Sequence, residues 1–149
     1  MRAVVQRVGQ TFLTVDGREI SRITEGLVCY LGIQQGDGEA DLTWMTKKVS
    51  GLRVFPDSQG KMNLSVRDVG QEILVVSQFT LFGDVRKGFR PSFTESEAPE
   101  PARRLYERFL ECLREAGVGL VCGGVFAADM TITQENRGPV TIILDSRQK

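Results

Sequence analysis

The chain has 149 residues, 41% of them apolar and 26% charged, and its 19 acidic residues balance 19 basic ones. This is enough for one domain, residues 1–149, with a single buried core, and the composition excludes disordered and collagen-like chains. A neutral chain does not hold nucleic acid by its overall field, so any RNA contact must be local, at an RNA end and not along a duplex, and DNA is not an expected partner.

Residues 2–8 and 11–16 read as short strands, and the Asp16-Gly17 pair turns the chain into a third around 19–23. Leu27-Val28-Cys29-Tyr30-Leu31-Gly32-Ile33 is a continuous apolar run of strand length and predicts a central strand. Gly36-Asp37-Gly38 breaks it. From Ala40 the apolar residues fall at Leu42, Met45, Val49 and Leu52, a helical stripe that ends near Gly51. A strand over 73–79 follows, then a loop over 83–91 that carries Arg86, Lys87 and Arg90. A second helix starts around 99–101. Leu105, Phe109, Cys112, Leu113 and Ala116 are expected on its inner face, with Gly117 as its stop. Strands are expected over 118–126, 130–133 and 140–144. No repeat or linker divides the chain. The fold class is α/β: a mixed, largely antiparallel, barrel-like sheet with two main helices.

The chain contains no histidine. That removes Ser-His-Asp and Cys-His catalysis and the usual zinc sites, and neither metal nor cofactor is expected. The three cysteines, Cys29, Cys112 and Cys122, are odd in number and lack CxxC spacing. They read as buried reduced thiols of a cytosolic protein; a thiol-dependent hydrolase is the weaker alternative, having no histidine to activate it. The first residues contain no long apolar stretch and no run approaches a membrane span, so a cytoplasmic location without a membrane partner is expected.

Local signals alone leave the function open. Ser77-Gln78-Phe79-Thr80 stands where an apolar strand turns polar beside a basic loop, a common but not distinctive place for a site. Gly138-Pro139 by itself is a turn between strands. The cluster Arg86-Lys87-Gly88-Phe89-Arg90 is ordinarily a solvated face, but its interleaved aromatic points toward RNA, because a base stacks on such a ring. Lys47-Lys48 reads as solvated helix surface.

Several ordered segments together do more. They are Arg2-Ala3-Val4-Val5-Gln6-Arg7-Val8, Gly60-Lys61-Met62-Asn63-Leu64-Ser65, and Val75-Val76-Ser77-Gln78-Phe79-Thr80-Leu81. Arg86-Lys87-Gly88-Phe89-Arg90-Pro91-Ser92-Phe93, Phe126-Ala127-Ala128-Asp129-Met130 and Asn136-Arg137-Gly138-Pro139-Val140-Thr141 follow. With these segments the chain resembles the D-aminoacyl-tRNA deacylases over essentially its whole length. The resemblance implies a homodimer with active sites at the subunit interface. It implies that Ser77, Gln78, Phe79 and Thr80 form the pocket for the aminoacyl ester, and that Gly138 and Pro139 form a cis peptide inserted from the other subunit. It implies that Arg7 braces that element and that Met130 lies near the terminal adenosine of the tRNA. Phe89 stands where the family more often has a polar or basic residue, Ala127 replaces a common glycine, and Gln134-Glu135 replaces a commonly apolar pair.

Such a reaction suits a histidine-free chain. An aminoacyl ester is already activated, so positioning and oxyanion stabilisation matter more than a strong nucleophile. Backbone N–H groups near Phe79 and Thr80, with the Ser77 hydroxyl, are candidates to polarise the carbonyl, while the ribose 2′-hydroxyl of the tRNA orients or activates water. Thr80 as a covalent nucleophile is the competing mechanism and lacks an evident base. Two rigid carbonyls at Gly138-Pro139 would leave room for hydrogen alone on one side of the substrate Cα, rejecting L residues by clash and unable to exclude glycine. A non-catalytic module gripping a tRNA end through Arg86, Lys87 and Arg90 is the alternative of a different class.

Overall fold

The computed structural model describes residues 1–148. The first strand, β1 (Arg2–Val15), is one long element, not the two short ones expected, because it finds partners along its whole length. Its first half pairs antiparallel with β3 (Gly26–Gly32) and its second half with β2 (Arg18–Ile23). Its other edge is lined by β8 (Thr131–Asp145), which likewise merges the two terminal strands predicted separately. Register shifts between Gln6 and Thr11 absorb the bend where β1 passes from one neighbour to the other. The Asp16-Gly17 turn forms as expected, with φ of 49° and 75°.

The apolar run of β3 is central, as its composition predicts. It pairs in parallel with β6 (Glu72–Ser77), and β6 pairs in parallel with β7 (Leu120–Gly123). Both central strands are buried on two faces, hence their unbroken apolar sequence. On one face Leu27, Cys29, Leu31, Ile73 and Val75 meet the helices α1 (Glu39–Gly51) and α2 (Pro99–Glu115). On the other, Val28, Leu74 and Val76 meet Val8, Leu13 and Ile23, because β1 and β2 curl over the sheet. The Ser21 hydroxyl donates to the Gly123 carbonyl at 2.6 Å, tying β2 to β7 and nearly closing a barrel.

Leu42, Met45 and Val49 of α1 are buried as the stripe predicts. The inner face of α2 differs: Ala102, Tyr106, Phe109 and Leu113 are buried, while Leu105, Cys112 and Ala116 lie at the margin. Fully buried Phe109 alone contributes about 1.5–3 kcal/mol of apolar transfer. A small hairpin of β4 (Phe55–Pro56) and β5 (Met62–Leu64), not anticipated, follows α1. Among the described residues no helix is long and apolar enough to cross a membrane.

Candidate active site

The strand β6 ends at Ser77, and the chain then tightens into a 3-10 turn over Phe79–Phe82, so the predicted strand over 73–79 stops two residues early. The turn sits directly on β3. A Cβ at Gly32 would lie 2.7 Å from the Phe82 ring and 3.0 Å from the Gln78 carbonyl, so a side chain there would lift the turn off the sheet. Arg2 holds the far side of the turn. Its guanidinium donates to the Leu81 carbonyl at 2.8 Å, pairs with Asp145 at 3.0 Å and lies 4.9 Å from the Phe82 ring centroid. The Ser96 hydroxyl donates to the Phe79 carbonyl at 3.2 Å, and the Phe93 ring meets Phe79 edge-on at 5.1 Å.

A cavity of about 490 Å³ opens at this end of the sheet. Ser77, Gln78 and Phe79 line one side and Phe126, Ala127, Ala128, Asp129 and Met130 the other. The α2 residues Ala102 and Tyr106 form its floor, and Ser96, Glu97 and Pro99 complete the wall. This is the size and largely apolar character of a small-molecule site. Thr80, by contrast, is exposed and does not line the cavity; its hydroxyl accepts a hydrogen bond from Gln78 Nε2 at 2.5 Å. The N–H groups of Phe79 and Thr80 open the 3-10 turn, where backbone donors have no partner within the turn.

Tyr106 is the residue that sequence reasoning missed. Its hydroxyl donates to the Val75 carbonyl at 2.9 Å and accepts from the Gly124 N–H at 3.0 Å, bridging β6 to the segment that leads into the far wall. Burial pushes its phenol up to about 12, so it stays a neutral donor. The interior spacing Ala102, Tyr106, Phe109, Leu113 was the available signal. Ala127 in that wall has φ of 62°, the left-handed region that favours glycine.

The other sequence candidates lie elsewhere. Gly138 and Pro139 are exposed on β8, joined by a cis peptide bond, and do not line the cavity of their own chain. Arg7 donates through Nε to the Arg137 carbonyl at 3.3 Å and through Nη1 to the Val54 carbonyl at 2.6 Å, beside that Gly-Pro element. Arg86, Lys87 and Arg90 are exposed on a loop that leaves the 3-10 turn at Gly83 and returns at Phe93. Gln134 sits in a polar string: Tyr30 donates to it at 3.0 Å and it donates to Gln6 at 2.8 Å, so a polar side chain is satisfied there.

Burial raises all three thiols, Cys29 to about 12, so none has the thiolate character a nucleophile needs. Among the described residues no group of three or more histidine, cysteine or carboxylate side chains is arranged to hold a metal ion.

Comparison with known proteins matches the family described as D-Tyr-tRNA(Tyr) deacylase over residues 4–145. A D-aminoacyl-tRNA deacylase of Carboxydothermus hydrogenoformans is 54% identical over 97% of this chain and 99% of its own length. One from Aquifex aeolicus is 49% identical over 99% of each. Among solved structures, one described as a c-Myc DNA unwinding element binding protein superposes with a TM-score of 0.92 at 44% identity, covering 97% of this chain and 98% of that one. A probable eukaryotic D-amino acid tRNA deacylase shares the fold, with a TM-score of 0.82 at 18% identity over 96% and 97% of the two chains.

Proposed function

The chain belongs to the D-Tyr-tRNA(Tyr) deacylase family of ester hydrolases, and from that premise we propose that it cleaves the ester joining a D-amino acid to the 3′ end of tRNA. The observation that carries this reading is the cavity between Ser77–Phe79 and the 126–130 segment, which has room for a nucleoside and its ester but none for a duplex. In this reading Phe126 and Met130 lie along the terminal adenosine, while the ester carbonyl faces the Ser77 hydroxyl and the N–H groups of Phe79 and Thr80. Donors already fixed by the fold stabilise the developing oxyanion without reorganising as charge develops. The ribose 2′-hydroxyl beside the ester supplies the group that orients or activates water, and RNA, not DNA, is therefore the substrate.

Gly138 and Pro139 set handedness in this reading, from the partner protomer of a homodimer. Their absence from the cavity of their own chain supports a cross-subunit role, and so does their place on β8, an edge strand with Ile143 70% exposed. Arg7, bonded to the Arg137 carbonyl, holds the element in place. Arg86, Lys87 and Arg90 contact phosphates near the tRNA end. The site acts in the cytoplasm, without a cofactor, and accepts glycyl-tRNA, which has no side chain to clash.

The test is a deacylation assay on D-tyrosyl-, L-tyrosyl- and glycyl-tRNA at catalytic protein concentration. Turnover of the D and glycyl esters with the L ester spared is expected. A protein that binds tRNA but leaves the D ester intact would reduce it to a binding module. Mixing a Ser77→Ala protomer with a Pro139→Ala protomer should restore part of the stereoselective activity both homodimers lack; no restoration would place each site within one chain.

A further inference from the structure

The basic loop over 84–92 is built to present one ring. Asp84 and Ser92 close its base through paired backbone hydrogen bonds of 2.8 and 2.9 Å. The Asp84 carboxylate accepts from the Arg86 side chain at 2.7 Å and from its backbone N–H at 2.9 Å, fixing the ascending limb. Gly88 then takes φ of 139°, which an L side chain would resist, and the chain reverses at Phe89. The Phe89 side chain is fully exposed, the most exposed large apolar residue among those described. Apolar burial ordinarily hides such a ring, yet here the fold holds it out.

The surroundings select its partner. Lys87 and Arg90 stand two residues before Phe89 and one after it on the loop, both exposed, and neither forms an ion pair among the described residues. A flat apolar face on a loop that also carries two unneutralised cations matches an unpaired nucleotide, whose base stacks while the adjoining phosphates meet the cations. The loop's place narrows this further. One stem leaves the 3-10 turn at Gly83, and the other returns to Phe93, whose ring packs on Phe79 at the cavity wall.

Resting on the reading of the cavity as the terminal-adenosine site, we infer that Phe89 is a stacking platform for an unpaired base just before that adenosine in the tRNA 3′ end. The loop thus reads single-stranded character, not sequence, since every base offers a face. It gives affinity for tRNA over a free aminoacyl nucleoside without touching the ester.

The experiment compares wild type, Phe89→Ala and Phe89→Trp on D-tyrosyl-tRNA and on 3′-O-D-tyrosyl-adenosine, which lacks the preceding nucleotides. Phe89→Ala should raise KM for the tRNA roughly tenfold, the scale of one lost base stack, with kcat retained. Its KM for the nucleoside ester should match wild type, and Phe89→Trp should restore tRNA binding. An unchanged KM for tRNA in Phe89→Ala would overturn the inference while leaving the function intact. Equal losses on both substrates would overturn it by placing Phe89 in the ester site. A fall in native mass in Phe89→Ala would overturn it by showing that a second copy of the chain covers the ring. A wild-type protein inert on D-tyrosyl-tRNA would overturn the function and the inference together.

Discussion

The Thr80 hydroxyl has one of its two lone pairs engaged by the Gln78 amide, a neutral donor that cannot take a proton from it. The side chain also stands outside the cavity lining. A nucleophile needs the opposite on both counts: a base to accept its proton and a clear path to the carbonyl. Thr80→Ala should therefore lower kcat by less than about tenfold, against the roughly 10⁴-fold or larger loss that follows removal of a true nucleophile. A substrate ending in 2′-deoxyadenosine should bind yet turn over far more slowly, measured at saturating enzyme so that binding does not intrude. A dead Thr80→Ala with normal cleavage of the deoxy ester would make the protein hydroxyl the catalyst. Ala127 carries a second residue-scale expectation. Its φ of 62° costs an alanine about 1–2 kcal/mol that glycine avoids, partly offset by glycine's greater freedom in the unfolded chain. Ala127→Gly should gain about 0.5–1 kcal/mol, read as a higher urea midpoint at unchanged slope. A lower midpoint would mean that the methyl group's packing in the cavity wall outweighs the backbone term.

At the scale of elements, α2 shows how far pattern reading reaches. Phe109 and Leu113 belong both to the expected face and to the observed one, but the stripe is rotated toward Ala102 and Tyr106. A tyrosine reads as amphipathic, and nothing local says that β6 and Gly124 will engage its hydroxyl. Tyr106→Phe should cost about 0.5–1.5 kcal/mol, the net worth of the lost hydroxyl bonds, because the Gly124 N–H and the Val75 carbonyl still bond each other. With the cavity floor loosened, KM should rise more than kcat falls; unchanged stability and kinetics would show the bridge to be idle. The apolar runs of β3 and β6 and the stripe of α1 were legible because burial on the sheet dictates their composition directly. The continuity of β1 and of β8 was not, since the pairing that runs along both joins residues more than a hundred positions apart. The β4–β5 hairpin is too short to carry a period. In the site, the Ser77–Phe79 segment was visible as a strand end, whereas Ser96 and Glu97 are placed by backbone pairing with Ile33 and Gln34, and Tyr106 by the packing of α2.

Across the whole molecule, buried acids that ionise late set an upper limit in pH. Cys29 is fully buried and its thiol is raised to about 12, while an unfolded cysteine ionises near 8.5. Between those values the unfolded chain gives up a proton that the folded one keeps. Stability is therefore complete below about pH 8.5 and declines as pH rises toward 12, by up to about 1.4 kcal/mol per unit from this group. Denaturation followed from pH 8 to 11 should show that decline, shallower in Cys29→Ala; identical slopes would show that the thiol ionises freely in the folded protein.

The pairing of β1 with β8 also governs the order of events during synthesis. Arg2 lies opposite Asp145 and Thr14 opposite Thr131, so β1, synthesised more than a hundred residues before its partner, waits for β8. At the usual pace of translation that wait lasts on the order of ten seconds. Through it, one flank of β1 is an unsatisfied row of amides and carbonyls, open to neighbouring nascent chains. Closing so long a loop is also entropically slow, which places this domain among late-folding topologies. A ribosome stalled ahead of β8 thus holds a chain whose β1 still lacks one neighbour, and holdase chaperones should be most needed at that stage.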